Sequence, residues 1–352
     1  MIKVALLPGD GVGVEVMEGP AQLAHHLADL KVLEVTGPWP VGATAFAQFG
    51  QGLPSVTLEA VNEADAVLLG AVGEHPGITI GGFRPELALL ELRERYDLRV
   101  SIRQVWRPDR GPITFVRNLL GGAYGAANTR QESSGTTPNA IASDRFELAR
   151  WRVEEICSIA HGYLRQSPNS SFISVDKANL LATSRLWRQT VSEYAEKHEL
   201  EVRHVLVDRF AYEIGALELS ESVIVTEGLF GDILSDLASG RAGSIAMCGS
   251  ASINPGKPKF GRCIGVFEPV HGSAPRRAGQ NVVNPIGGFL ALAALVEWFP
   301  DTHVWGSRIR EALAIAVAKG SVTYDIGKNG QSIVTTSAFS EIVNQCFVEL
   351  IS

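Results

Sequence analysis

Short apolar runs alternate with longer amphipathic segments along most of the chain. The first run, residues 2–7, ends in Pro8-Gly9-Asp10-Gly11-Val12-Gly13 and reads as a buried strand closed by a glycine turn. Strand-like runs recur at 31–35, 65–71, 98–104, 113–117, 171–175, 202–207, 222–226 and 261–267. Helical spacing of apolar positions covers 15–28, 56–63, 85–95, 145–166, 178–198, 212–217, 232–239, 287–298, 305–319 and 339–350. This alternation predicts an α/β fold, a mostly parallel sheet with helices on both faces. Residues 121–143 break the rhythm with Gly, Ser, Thr and Asn and few apolar positions. A loop of that length in a compact protein is usually functional or lies at a subunit contact. There is no internal repeat and no low-complexity tract.

With 352 residues and 45% hydrophobic content, the chain can bury a large core split between two lobes. A net charge of −7 without a long charge run argues against a nucleic-acid-binding surface. The longest apolar stretch, near 288–296, is too short to span a bilayer, and the first residues carry no export signal. Cys157, Cys248, Cys263 and Cys346 lack CxxC spacing, which predicts free, packed thiols in a reducing, cytoplasmic compartment. The eight histidines show no metal-ligand spacing, and adjacent His25 and His26 point different ways on a helix.

Candidate chemistry concentrates in Val225-Thr226-Glu227-Gly228-Leu229-Phe230-Gly231-Asp232-Ile233-Leu234-Ser235-Asp236. Asp232 and Asp236 stand four apart at an expected helix start and project from one face, where like charges repel by a few tenths of a kcal/mol. Ile233, Leu234 and Leu237 point to partial burial of that face, and two half-buried acids call for a divalent cation with oxygen ligands. The plainer reading leaves both in solvent, favourable to the helix dipole. The glycine turn has a similar pair of readings. Glycines there permit positive φ and close backbone approach, and Glu34 lies where a ribose-binding acid would be expected. The motif is GxGxG rather than GxGxxG, however, and a plain sharp turn accounts for it as well. Arg93, Arg103 and Arg117, if brought together, would clamp carboxylates through bidentate hydrogen bonds; singly each would be a surface residue. Tyr124 stands among small neighbours. Lys177 sits at a strand-to-helix switch, able to reach beyond a strand's carboxyl end. Asp208, closing the strand 202–207, is a third candidate metal carboxylate.

Several of these segments, in order, resemble the metal-dependent β-decarboxylating dehydrogenases acting on 3-isopropylmalate, isocitrate, homoisocitrate and tartrate, with a pattern nearest the isopropylmalate branch. The likeness rests on Leu7-Pro8-Gly9-Asp10-Gly11, Gly70-Ala71-Val72-Gly73, Arg84-Pro85-Glu86, Val175-Asp176-Lys177-Ala178-Asn179, the Asp232 segment and Glu268-Pro269-Val270-His271-Gly272-Ser273-Ala274-Pro275. It implies a two-domain isopropylmalate dehydrogenase-like fold with a mixed, mostly parallel sheet that is not a true Rossmann domain. Residues 1–98 plus 242–352 would form the cofactor-binding domain. Residues 99–241 would form a central domain with the dimer interface and an arm at about 121–143. The resemblance implies a homodimer whose active site is shared between subunits, acting on a small malate-type substrate, with no nucleic-acid or membrane partner.

By matching position, Arg93, Arg103 and Arg117 look like the family's malate-binding arginines, and Glu86, Leu89 and Leu90 like the surroundings of the C3 substituent. Tyr124 looks like the general acid, and Lys177, from the second subunit, like the group handling the hydroxyl proton, with Asp208 beside it. Asp208, Asp232 and Asp236 look like the Mg²⁺ or Mn²⁺ ligands. Val12, His271, Gly272, Ser273, Ala274, Pro275, Arg276 and Asn284 fall on the dinucleotide site. The implied reaction is NAD(P)-dependent oxidative decarboxylation of a 3-substituted malate to a 2-oxo acid and CO₂.

The chain departs from the pattern at several points. Arg276 stands where NAD-using members usually carry an acid, which favours NADP through a 2′-phosphate contact; with Arg276 in solvent, NAD would serve. Leu98-Arg99-Val100-Ser101-Ile102-Arg103-Gln104, Val14 and the 125–138 loop are unusual and suggest a variant substrate. Arg99 would serve another anionic group or face solvent. Isocitrate, homoisocitrate, tartrate or a specialised malate analogue stay open as substrates. A non-catalytic regulatory subunit is disfavoured because Tyr124, Lys177 and all three aspartates are present.

Overall fold

The computed structural model describes the chain except residues 79–80, 123–130, 133–141, 144, 217–218 and 259. Its strands are β1 (Ile2–Gly9), β2 (Leu33–Thr36), β3 (Ala66–Ala71), β4 (Val100–Arg107), β5 (Arg110–Asn118), β6 (Gln131–Glu132), β7 (Ala142–Ser143), β8 (Ser171–Asp176), β9 (Val202–Leu206), β10 (Ser222–Thr226), β11 (Cys248–Ile253), β12 (Gly265–Pro269), β13 (Ser321–Val322) and β14 (Ser332–Ile333). The α-helices are α1 (Val12–Asp29), α2 (Gly42–Phe49), α3 (Ser55–Glu63), α4 (Leu87–Arg95), α5 (Arg150–Gln166), α6 (Ala182–Lys197), α7 (Val207–Ala216), α8 (Gly228–Arg241), α9 (Ile286–Trp298), α10 (His303–Ala318) and α11 (Thr336–Ile351). The chain divides into two compact units: Met1–Leu98, Trp106–Asp109 and Ala242–Ser352 in the first, Arg99–Val105 and Arg110–Arg241 in the second.

In the first unit the strand order is β2-β1-β3-β12-β11. β1 runs parallel to β2 and β3, β3 runs parallel to β12, and β11 pairs antiparallel with β12. The sheet is therefore mixed and mostly parallel. Every residue of β3 is buried, so its continuous apolar run reflects cover on both faces. α9 is apolar all round and sits in the core beside β11 and β12. One core cluster gathers Leu7, Val67, Leu69, Ala88, Leu92 and Tyr96. Fully burying each large apolar side chain contributes roughly 1.5–3 kcal/mol.

In the second unit the order is β4-β5-β10-β8-β9, and β5, β10, β8 and β9 run parallel. α5 packs against β5 and β10, α6 against β8, and α8 against β5. Trp187 of α6 is fully buried and donates from Nε1 to Ser174 Oγ at 3.3 Å.

Several boundaries differ from the sequence reading. α8 begins at Gly228, so Asp232 and Asp236 lie one and two turns inside it rather than at its start. β9 ends at Leu206, and Asp208 belongs to the first turn of α7 instead of closing a strand. Residues 145–149 precede α5 and are not helical. β11 had no counterpart in the sequence pattern. All four cysteines are free and buried. Among the described residues, no helix is long and apolar enough to cross a membrane.

Candidate active site

Because β5, β10, β8 and β9 are parallel, their carboxyl ends share one edge, where α/β proteins commonly place ligands. The register pairs Thr226 with Arg117 and Val175, and Asp176 with Leu206. Arg117, Gly228, Lys177 and Asp208 therefore follow one another along that edge. With neighbouring strands ~4.8 Å apart, the backbones carrying Lys177 and Asp208 lie roughly 10 and 14 Å from the end of β5.

Arg117, at 3% side-chain exposure, donates from Nη1 to Gly228 O at 2.9 Å and lies 2.7 Å from Asp232 Oδ1. Arg103 on β4 reaches the same oxygen with Nη2 at 3.2 Å, and donates from Nη1 to Asp236 Oδ1 at 2.8 Å and Ser235 Oγ at 2.9 Å. The close seat of α8 needs Gly231, where a Cβ would fall 2.8 Å from Thr226 Cγ2 and 2.9 Å from Arg117 Cβ. Glu227 caps the helix, accepting from Phe230 N at 2.9 Å and Leu229 N at 3.3 Å, while burial raises its pKa. Burial raises the Asp236 pKa as well; the Asp232 charge adds to this, and Arg103 and Arg117 oppose it. The carboxylate pair thus sits where two bare anions are disfavoured. Its hard oxygens fit a divalent ion of the Mg²⁺ or Mn²⁺ kind.

Lys177 Nζ donates to Asp208 Oδ1 at 2.5 Å, and that hydrogen bond holds the Asp208 pKa low. Lys177 is projected by a turn that buried Asp176 fixes, accepting from Ala178 N at 2.9 Å and from Arg188 Nε and Nη2 at 2.8 and 2.9 Å. Among the described residues, no three His, Cys, Asp or Glu side chains gather as a metal-ligating group, so Asp208 does not join Asp232 and Asp236 within one chain. Tyr124 and most of the 121–143 loop lie outside the described residues. Arg99 is neither in solvent nor open to another anion: it holds Glu155 at 2.7 and 2.8 Å, with its guanidinium 5.7 Å from the Trp151 ring centre.

In the first unit, the glycine turn is a packing device. A Cβ on Gly11 would fall 2.1 Å from Ser273 O, and Val12 N donates to that carbonyl at 2.8 Å. Buried Asp10 accepts from Ala43 N, Thr44 N and Thr44 Oγ1 at 2.8 Å each and from Gly73 N at 3.2 Å. The turn therefore docks the 271–285 loop rather than presenting free N–H groups to a phosphate. On that loop, His271 Nδ1 donates to Gly272 O at 3.1 Å, leaving a buried Nε2 without a partner, and burial lowers the ring's pKa. Arg276 is exposed, and Arg277 lies 4.9 Å over the Tyr324 ring. Asn284 Nδ2 donates to Asp325 Oδ2 at 3.1 Å. An unpartnered ring nitrogen, an open backbone at Gly272 and exposed guanidiniums fit the base and phosphate of a dinucleotide. No local spacing in the sequence pairs Arg277 with Tyr324.

Arg93 donates from Nη2 to Glu268 Oε1 at 3.0 Å. Glu86 and Leu90 are exposed together with Leu87, whereas Leu89 is half-buried against the core cluster.

Fold and site together define an α/β enzyme equipped for a carboxylate-bearing substrate, with a paired-acid site suited to a metal. The family description isocitrate/isopropylmalate dehydrogenase matches residues 3–343, and the chain belongs to that family. It is 35% identical over 370 residues to 3-isopropylmalate dehydrogenase of Clostridium acetobutylicum, covering 97% of this chain and 98% of that protein. The corresponding Moorella thermoacetica protein is 35% identical over 363 residues, covering 98% and 99%. Among solved structures, isocitrate dehydrogenase from Methylococcus capsulatus superposes with a TM-score of 0.83 at 26% identity, covering 99% of each chain. A β-decarboxylating dehydrogenase from Thermococcus kodakarensis gives 0.79 at 30% identity, covering 100% and 97%. The protein is an enzyme of this β-decarboxylating type. The family is typically NAD-dependent and uses a divalent metal.

Proposed function

We propose that the enzyme oxidatively decarboxylates a 3-alkylmalate resembling 3-isopropylmalate to a 2-oxo acid and CO₂. The observation that carries this reading is the network of Arg103 and Arg117 with Asp232 and Asp236 at the carboxyl edge, with the Lys177–Asp208 pair further along it. Arg103 and Arg117, with Arg93, hold the substrate carboxylates and orient C2. Lys177 accepts the C2 hydroxyl proton, and Tyr124 returns a proton to C3 after CO₂ leaves. A divalent ion on Asp232, Asp236 and Asp208 of a second copy supplies Lewis-acid polarisation of the C2 oxygen when bound. The residues that would hold a dinucleotide are His271 to Pro275, Arg276 and Asn284, and it would supply the acceptor for the C2 hydride; fully buried Val12 only docks that loop. The exposed Arg276 favours NADP over NAD, because a guanidinium chelates a 2′-phosphate. Exposed Leu87 and Leu90 beside Glu86 favour an apolar C3 substituent.

The separation along the sheet edge supports a homodimer in which one copy's Lys177 and Asp208 complete the other's arginines and acids. α7 and α8 expose Tyr212, Ile233 and Leu237, and the latter two are spaced to share one face of the helix that carries Asp232 and Asp236. Four free buried thiols support a cytoplasmic setting. A panel of malates assayed with NADP, NAD and Mn²⁺ tests the reading. Turnover should be fastest with a 3-alkylmalate and NADP; turnover confined to isocitrate, homoisocitrate or tartrate would overturn the substrate assignment.

A further inference from the structure

The loop that follows His271 is held in an unusual backbone shape. Ala274, Gly279 and Asn281 all have positive φ, at 36°, 78° and 56°. Two of these are not glycine, and such conformations persist only where surrounding contacts enforce them. For Gly279 and Asn281 the enforcing contact is Glu15, in the first turn of α1. One of its carboxylate oxygens accepts from Gly279 N, and the other accepts from Asn281 N at 2.9 Å. Asn281 in turn is fixed from its far side. Its Oδ1 accepts from Ser337 N at 2.9 Å, its Nδ2 donates to Ser337 Oγ at 2.9 Å, and its carbonyl accepts from Thr336 N at 3.0 Å. Between the Val12–Ser273 contact and this clamp lie Arg276 and Arg277. Their turn is closed by Arg277 N donating to Ala274 O at 2.9 Å and Gln280 Nε2 donating to Arg276 O at 2.6 Å.

We propose that Glu15 is a positioning residue for dinucleotide binding: its carboxylate clamps the amides of Gly279 and Asn281 and so presets the loop that presents Arg276 and Arg277. This rests on the reading of 271–285 as the dinucleotide loop. The Glu15 carboxylate serves Gly279 and Asn281, not the residues proposed to hold malate or to handle its protons. Its loss therefore raises the ordering cost of binding the dinucleotide and leaves the proton-handling groups in place.

The isosteric Glu15→Gln substitution keeps the side chain's shape, removes the charge and leaves one backbone N–H facing an amide NH₂. In the dinucleotide-free enzyme, hydrogen exchange at the Gly279–Asn281 amides should quicken by about tenfold or more, as expected for losing one charge-assisted hydrogen bond. NADP dissociation constants from titration calorimetry should rise by about tenfold. Malate KM and kcat at saturating NADP should stay within about twofold. Arg276→Ala and His271→Ala are measured alongside. If they weaken NADP binding while Glu15→Gln changes neither exchange nor affinity, the Glu15 assignment fails and the loop reading stands. If none of the three changes dinucleotide affinity, the loop reading fails and the Glu15 role with it. A fall in kcat and malate binding in step with NADP affinity would mark Glu15 as a general structural residue and overturn the proposal. If Glu15→Gln does not fold, Asn281→Gly, which removes the Ser337 side-chain contacts at a positive-φ position, should raise the NADP constant with the same KM-against-kcat split; an unchanged constant sinks the idea.

Discussion

Replacing Asp236 by Asn separates a metal ligand from a stabilising ion pair, because the two roles predict opposite results in thermal melts. Without metal, Asp236 contributes little: burial raises its pKa, the Asp232 charge adds to this, and the opposing pull of Arg103 and Arg117 is offset by that desolvation. Its side chain is 46% exposed, and Arg103 also has Asp232 at 3.2 Å and Ser235 at 2.9 Å, partners that the Asn variant leaves in place. The metal-free Asp236→Asn enzyme should therefore lie within about 1 kcal/mol of the parent. With metal the expectation reverses. Mn²⁺ at a hundred times its dissociation constant stabilises the parent by about 2.7 kcal/mol. At ~2.1 cal/mol/K per residue, 352 residues give an unfolding entropy of roughly 0.7 kcal/mol/K, so the melting temperature should rise by about 4 °C. Losing one anionic ligand with about a hundredfold loss of affinity cuts that stabilisation to about 0.4 kcal/mol and the shift to below about 1 °C. Differential scanning fluorimetry with and without Mn²⁺, at fixed protein concentration, reads both quantities. An Mn²⁺ shift that survives in Asp236→Asn, or a metal-free melting temperature that drops by several degrees, would refute the assignment.

Asp208→Asn and Asp236→Asn should each abolish turnover as homodimers. Mixed and allowed to exchange subunits, they should regain about a quarter of parental activity, because half the dimers hold one intact composite site; no recovery would place all three acids in one subunit's site. Arg276→Asp should raise the KM for NADP by about 10–100-fold and lower that for NAD, read from initial rates with each dinucleotide. Gly11→Ala should cost about 2–4 kcal/mol in urea melts, since its φ is 56° and the new Cβ would collide with Ser273 O. Burial and Arg188 lower the His204 pKa, so the folded state binds fewer protons and stability should fall as pH drops below about 6.5; His204→Gln should flatten that slope in melts between about pH 7 and 5.

The parts of the site legible in sequence are those set by short-range geometry. Two acids four apart must share a helix face wherever that helix lies, and Lys177 follows an apolar run that can only be a strand. What stayed hidden depends on strand order. Arg103, Arg117 and Asp232 are brought together because β4 and β5 are neighbours and α8 seats on β5, and no local spacing encodes that. β11 reads Cys-Gly-Ser-Ala-Ser-Ile, five small residues of low strand propensity before one isoleucine, yet all six are buried, paired with β12 and covered by α9. The run Val205–Val207 looked like strand up to Asp208, but Val207, Phe210 and Ile214 also repeat at helical spacing, and burial of Phe210 and Ile214 decides for the helix. Leu89 and Leu90 are indistinguishable in sequence; α4 turns the first toward Ala88 and Leu92 in the core and the second toward solvent. The glycine turn was ambiguous because glycine reports that something approaches the backbone, not what. Here it is the Ser273 carbonyl.

The pairing of Arg103 and Arg117 with Asp232 and Asp236 has a consequence for the order of events at the site. Two guanidiniums and two carboxylates form a neutral set, so the ligand-free site carries no large unbalanced charge although both guanidiniums are largely buried. A malate-type dianion and a divalent cation form a second neutral set. The Nη1 hydrogens of Arg117 that serve Asp232 and Gly228 are then not available to chelate a substrate carboxylate, and the Asp232 oxygen that accepts from both arginines is a poorer metal ligand. Either ligand entering alone must break this network and leave one partner unmatched, which is costly in a partly desolvated site. Both entering together exchange one balanced set for the other. If the site takes both ligands as proposed, metal and malate binding would be coupled favourably, and by linkage each would raise the affinity of the other by the same factor. On the proposed function, the arginines are held ready by the acids that would take the metal, so substrate capture and metal binding would become one event rather than two.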